Sequence, residues 1–311
     1  MPWDHTSTAV TSLRRSGSLG FVKAELEWAT VGLLLSGRGV LLWAHFINFF
    51  VPDNKDDAYV KRAWNRCYEP LLSLIASHEN AHLTFNVDGH FLERLQEVGL
   101  NEGIEAMRGL VERGQVELTA SAYGGPALGP MTQDDIDLAV KQANEVGESV
   151  FADAYTPKGF FPPEMSYDHN LGVAATRLGF QWMLLDEISH LGKPGSVLWD
   201  RAYKLEIDPK VKLLFRDRSL SQGMAYGSFD VPSQLMQAAD QASPARRYVL
   251  TGVDADLYGM RRIQPREFLT AMMEEDVWDM LSMSELLMRL EVMDSVTPVP
   301  GSWSAWDTFA F

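Results

Sequence analysis

The sequence predicts an α/β protein built as a parallel (β/α)7-type barrel, an incomplete TIM-like barrel with a short helical C-terminal segment. Three observations carry this expectation. Apolar, strand-like runs alternate with amphipathic, helix-like stretches, the pattern of a parallel sheet wrapped by helices. The strand-like runs number about seven, which suits a barrel better than an open sheet, although periodicity alone does not separate the two. Most of the runs also close on a polar side chain, as barrel strands do where they feed a pocket.

Residues 39–50 read as the first strand, and 57–77 as a helix with Val60, Trp64, Leu71, Leu72 and Leu74 on its apolar face. Residues 83–87 (LTFNV) form a second strand, and a helix starts over 91–98 after Gly89. A helix over 101–113 leads to a third strand at 116–120. The stretch 132–152 is helical, with Thr132 placed to cap it and Asp134 and Asp135 in its first turn. A short strand at 159–161, a helix at 171–178 and strands at 182–186, 211–216 and 248–254 follow. Two terminal helices are expected near 265–275 and 284–292. Residues 1–38 read as a Ser/Thr-rich N-terminal arm, and 39–311 as the barrel domain with its terminal helices. Internal repeats and low-complexity segments are absent.

Bulk properties narrow the function. The 311 residues carry 27 Lys and Arg against 42 Asp and Glu, a formal charge of −15. That balance argues against nucleic acid, whose backbone needs a basic footprint. No apolar run approaches the roughly 20 residues that span a bilayer, and 1–20 lacks the apolar stretch of a signal peptide. The expectation is therefore no nucleic-acid partner, no membrane and a cytoplasmic address. Cys67 is the only cysteine, which excludes an intrachain disulfide and a Cys-rich zinc site. On its helix it reads as a buried thiol rather than a nucleophile. His78 and His82, at i, i+4 spacing, read as a solvated helix end rather than a metal pair. The Met-rich stretch from Met272 to Met293 reads as helix packing on the barrel wall. No metal or other cofactor is expected.

In a parallel barrel the chemistry sits on loops at the C-terminal ends of the strands. The polar residues that close strand-like runs are His45 and Asn48, Asn86 and Asp88, Glu117, Glu164, Asp186, and Asp254 with Asp256. Several are carboxylates, and none is a persuasive nucleophilic Ser or Cys. Two carboxylates facing across a pocket are the apparatus of glycosidic-bond chemistry: one attacks or activates water, and the other protonates the leaving oxygen. Each candidate also has a plainer explanation. Glu164 follows Pro162 and Pro163 and could start a surface helix. Asp254 could cap a turn, and His45 could be a satisfied core histidine. Glu117 could be a half-buried strand carboxylate, and Trp303 and Trp306 could be simple packing.

The segment Gly159-Phe160-Phe161-Pro162-Pro163-Glu164-Met165-Ser166-Tyr167 resembles the third signature region of glycoside hydrolase family 57. Other regions fall in that family's order. Gly114-Gln115-Val116-Glu117-Leu118-Thr119 resembles the second, Gly252-Val253-Asp254-Ala255-Asp256-Leu257-Tyr258-Gly259 the fourth, and Gly301-Ser302-Trp303 the fifth. The first, usually His-x-His-Gln-Pro, is represented by His45-Phe46-Ile47-Asn48-Phe49. Ile47, Asn48 and Phe49 thus replace the second His, the Gln and the Pro, and Asp256 stands where Glu is usual.

The resemblance covers roughly 39–303 and implies a short member, the catalytic barrel without the usual C-terminal helical domain. It implies Glu164 as nucleophile and Asp254 as general acid/base of a retaining hydrolase or transglycosylase (4-α-glucanotransferase-like), acting on α-linked glucan through a covalent glycosyl-enzyme. His45, Asn48, Glu117, Tyr123, Asp256 and Trp303 would bind substrate. The open cleft would be covered by an oligomer or a partner protein. Two alternatives remain: a catalytically silent carbohydrate- or partner-binding barrel, motivated by the altered first region, and a metal-dependent deacetylase or mannosidase. The latter would need His45 beside Asp254 and Asp256.

Overall fold

A computed structural model describes residues 41–260, 264–275 and 277–305. The N-terminal arm expected over 1–38, and Trp306, lie outside the described residues. The chain forms ten strands among these residues: β1 (Leu41–Phe49), β2 (Leu83–Val87), β3 (Val116–Leu118), β4 (Gly159–Phe160), β5 (Trp182–Asp186), β6 (Ala202–Leu205), β7 (Asp208–Arg216), β8 (Tyr248–Asp254), β9 (Trp278–Leu281) and β10 (Val292–Val296).

One parallel ladder runs β3-β2-β1-β8, and a second carries β4-β5-β7. A bridge between Ala120 and Phe160 joins them on one side. Between β7 and β8 the backbone link is Asp217 N–H to the Leu250 carbonyl at 2.8 Å, with no ladder. These seven strands make the (β/α)7 arrangement. β1 lies at its centre and is buried along its whole length. That accounts for its near-continuous apolar run, since a parallel strand flanked on both edges and covered on both faces meets no water.

Several of the helices start where short polar side chains satisfy free N–H groups. Asp56 caps α1 (Asp57–Ala63), which runs through a π-helical turn (Trp64–Tyr68) into α2 (Glu69–Ala76). Asp88 caps α3 (Gly89–Glu97) by accepting from Phe91 N at 3.2 Å. After α4 (Asn101–Glu112), Thr132 caps α5 (Gln133–Phe151), as its sequence position implied. Asp168 caps α6 (His169–Arg177). Beyond α7 (Ile188–Leu191), Asp217 caps α8 (Arg218–Tyr226), and α9 (Pro232–Ala242) starts on proline. α10 (Gln264–Glu274) and α11 (Met283–Arg289) come last, the second opened by a capping box between Ser282 and Glu285.

The C-terminal region is more than the expected helical segment. β9 pairs with β1, and β10 pairs with β6, itself antiparallel to β7. β9 and β10 are only four and five residues long, and Asp279 and Asp294 interrupt their apolar runs, so neither stands out in the sequence. Cys67 is buried, its thiol donating to the Ala255 carbonyl, and burial pushes its pKa up to about 12. Of the Met-rich stretch, Met272 and Met283 are fully buried, while Met288 is 78 % exposed. Among the described residues no helix is long and apolar enough to cross a membrane.

Candidate active site

A cavity of about 380 Å³ opens at the C-terminal ends of the strands. Asn48, Asn86, Asp88, Ser121, Phe161, Glu164, Asp254 and Asp256 line it, with Lys55 from the β1–α1 loop and Tyr59 from α1. Strand-end placement thus brings Asn48, Glu164, Asp254 and Asp256 together, four of the residues the sequence nominated.

Glu164 sits in a short 3-10 turn (Pro163–Met165) right after β4. Its φ is 59°, and that of Met165 is 47°. Left-handed backbone on two successive non-glycine residues costs on the order of 1–3 kcal/mol each, and it persists only where neighbours hold it. The holding groups are specific. Glu164 carbonyl oxygen accepts from Trp303 N at 3.0 Å and from Ser302 Oγ at 2.9 Å. Its carboxylate Oε2 accepts from the Trp303 indole Nε1 at 2.7 Å and from Ser304 Oγ. Trp303 therefore orients Glu164 through both its backbone N–H and its indole N–H. Its ring packs on Phe161, with centroids 5.8 Å apart, and the Arg216 guanidinium lies 5.4 Å from the ring centroid.

Asp254 ends β8 in register with Asn48 of β1. Asn48 Nδ2 donates to Asp254 Oδ1 at 2.9 Å, and Asn48 Oδ1 accepts from Asn86 Nδ2 at 2.8 Å. Thr119 Oγ1 lies 3.3 Å from Asn86 Oδ1. The rungs β3-β2-β1-β8 thus end in a chain of side-chain hydrogen bonds that terminates on the carboxylate. A carboxylate only accepts, so the chain fixes which way both amides point. Asp256 follows in the turn Ala255–Tyr258 and borders a second cavity of about 300 Å³, shared with Asp254, Trp303, Ser304 and Tyr226. Asp88 both caps α3 and faces the cavity. Burial lifts its pKa to about 6, opposed by the N–H groups of Phe91 and Gly124.

Three of the residues expected to bind substrate lie elsewhere. His45 is wholly buried, with Nδ1 2.7 Å from Thr251 Oγ1 and Nε2 2.5 Å from Tyr258 Oη. Burial depresses its pKa to about 3, so the ring is neutral. The reason is strand parity: residues 45 and 48 of one strand point to opposite faces, and Asn48 takes the cavity face. Glu117 points to the groove beside α11, where its carboxylate accepts from Ser284 N at 2.9 Å and from Ser284 Oγ. Burial raises its pKa. Tyr123 donates its hydroxyl to Glu93, and that bond pushes its pKa up to about 12. Its neighbours Ser121 and Gly125 reach the cavity wall instead. His82 pairs with Glu285 at 2.8 Å.

Sequence reasoning missed Ser304, Lys55, Tyr59, Arg216 and Arg218. For the arginines a signal existed. Arg216-Asp217-Arg218 closes the apolar run of β7, an unusual place for three charges unless the strand end is functional.

Seven parallel strands with a carboxylate pair at their C-terminal ends define the class: a (β/α)-barrel protein with a site of the kind that glycosidic-bond chemistry uses. The chain belongs to glycosyl hydrolase family 57, whose model matches residues 25–299. It is 25 % identical to an alpha-amylase of Pyrococcus furiosus over 127 residues, which is 41 % of this chain and 19 % of that one. The matched stretch therefore spans about a fifth of that relative's length. Among solved structures, the 4-alpha-glucanotransferase from Thermococcus litoralis superposes with a TM-score of 0.70 at 16 % identity, covering 84 % of this chain and 40 % of that one. The GH57-type branching enzyme from Pyrococcus horikoshii gives 0.67 at 13 % identity, covering 86 % and 74 %.

Proposed function

We propose that this chain is a retaining glycoside hydrolase or transglycosylase acting on α-linked glucan. The observation that carries the reading is one cavity lined by two carboxylates from different strand ends, Glu164 and Asp254, each held by its own donors. Glu164 attacks the anomeric carbon as the carboxylate, and its C–O bond to the sugar forms as the glycosidic C–O bond breaks. Asp254 gives its proton to the departing oxygen. In the second half it takes a proton from water, or from an acceptor hydroxyl, whose oxygen displaces Glu164. The indole N–H of Trp303 and the hydroxyl of Ser304 keep one Glu164 oxygen occupied, which leaves the other to approach carbon.

The names of the relatives support a glucan substrate, and the family supports the carbohydrate class. The deacetylase or mannosidase alternative loses its basis, because His45 lies on the opposite face of β1 from Asn48 and does not join Asp254 and Asp256. The test is a panel of maltooligosaccharides and aryl α-glucosides, with the anomer of the first-formed product read by NMR. Retained α-product is expected, with Glu164→Ala at least about 1,000-fold slower and partly restored by azide as a β-glycosyl azide. An inverted product, or turnover untouched by Glu164→Ala, would reject the assignment.

A further inference from the structure

Asp186 ends β5 and is wholly buried, and it lines neither of the two cavities at Asp254. Both of its oxygens are committed to arginines. Oδ2 accepts from Arg216 at 2.8 Å, and Oδ1 accepts from Arg218 Nε at 2.9 Å and from Ile188 N at 3.2 Å, with Arg218 Nη2 2.8 Å away as an ion pair. Neither arginine stops there. Arg218 donates to the carbonyls of Ser302 at 2.7 Å and Ala305 at 2.6 Å, which bracket Trp303 and Ser304. Those two residues supply both side-chain donors on Glu164 Oε2. Arg216 donates through Nε to the Gly252 carbonyl at 2.7 Å, two residues before Asp254 on β8, and also lies over the Trp303 ring.

We infer that Asp186 is a positioning residue that sets the relation between Glu164 and Asp254 through Arg218 and Arg216. The inference rests on the carboxylate-pair reading above. A buried carboxylate with two guanidiniums is a poor way to gain stability, since desolvation offsets most of the attraction. It is an effective way to fix geometry, because each planar fork holds two targets in a set relation. The two forks share one carboxylate, so the segment carrying Trp303 and the strand carrying Asp254 are referenced to the same point. Removing the charge leaves two like-charged guanidiniums side by side in a buried space, and they separate. Both catalytic carboxylates then move, although neither loses a direct contact.

The variant is Asp186→Asn, of nearly the same shape. Two readouts are needed, one of which is independent of turnover. In ¹H–¹⁵N spectra the Trp303 indole N–H, assigned by its loss in Trp303→Phe, is expected to shift in Glu164→Gln, which marks it as the reporter of its bond to that carboxylate. In Asp186→Asn that resonance is expected to move as well, because the segment that carries Trp303 shifts against Glu164. Turnover of a maltooligosaccharide should fall about 100-fold in kcat, the cost of a misplacement near 1 Å, with KM within about threefold. Adding Trp303→Phe to Asp186→Asn should cost far less than it does in wild type.

A folded Asp186→Asn with the wild-type Trp303 resonance overturns the inference, as does a fully additive double variant. Should Asp186→Asn not fold, Arg218→Lys, which keeps the charge but cannot hold both carbonyls, is expected to give the same signature. Failure of both to fold would mark the cluster as structural only. If the resonance moves while wild type turns over no glycan, the functional reading fails and the positioning of Glu164 stands.

Discussion

His45 occupies the first position of a sequence motif expected to touch sugar, and the structure makes it a stability element instead. Its imidazole is wholly buried, neutral, and hydrogen-bonded to Thr251 and Tyr258. Burial lowers its pKa from 6.5 to about 3, with the Thr251 interaction opposing and the Arg216 charge adding to the fall. The folded state therefore binds a proton more weakly than the unfolded chain. Between about pH 6.5 and 3 the unfolded state takes up more protons, and stability is lost as pH falls through that window. At pH 4 the unfolded histidine is protonated and the folded one is still largely neutral, a difference of about 3 kcal/mol relative to pH 7. The raised pKa values of Asp88 and Glu187 act with the opposite sign, so the wild-type profile alone does not isolate His45.

The comparison with His45→Gln does, since Gln offers a donor and an acceptor without titrating. Urea unfolding of both proteins from pH 7 to pH 4 should show wild type losing about 3 kcal/mol more than the variant. The variant should be less stable at pH 7, with KM for any glycan near the wild-type value. Parallel stability profiles would refute the buried-neutral assignment. A large KM rise in a variant of unchanged stability would return His45 to the substrate.

Two further outcomes follow from the same structure. Glu187 accepts from the N–H groups of Gly195 and Arg218, and burial, then the nearby Asp217 charge, lift its pKa from 4.5 to about 7. The folded state holds that proton more tightly, so stability falls as pH rises from about 4.5 to about 7. Relative to wild type, Glu187→Gln should therefore melt several degrees higher at pH 8 than at pH 4.5, and a pH-independent difference would count against this. At Gly259 a Cβ would lie 2.2 Å from the backbone oxygen of Arg66 in the π-helical turn, which cannot step aside as a side chain does. Gly259→Ala should cost about 1–3 kcal/mol in urea unfolding and displace the Asp256 turn, whereas full stability would mean that the π turn yields.

Much of the fold was legible. β5 and β8 begin and end where their apolar runs do, and the long helix α5 follows from the Thr132 cap and the acidic first turn. Both reflect local rules: an apolar run covered on two faces, and free N–H groups that need an acceptor. β6, β9 and β10 were not legible, because short mixed strands form only where an existing sheet edge accepts them. In the site, Asn48, Glu164, Asp254 and Asp256 emerged from strand-end logic and meet in one cavity. His45 was misplaced although β1 itself was correctly foreseen. Its parity against Asn48 needed only the period-2 rule, but which face carries the cavity depends on how the strands curl.

The sequence by itself determined a run of parallel strands with carboxylates at their ends, since burial and capping act over a few residues and leave periodic marks. It also placed Glu164 directly behind two prolines, which restrict the backbone leading into it. Only the tertiary structure decided what holds that carboxylate. Trp303 and Ser304 reach it from nearly 140 positions away, and Arg218 and Asp186 anchor them through a cluster assembled from β5, the end of β7 and the C-terminal segment. Hydrogen bonds between distant segments are directional and leave no period in the sequence, so they exist only once the strands have brought their ends together.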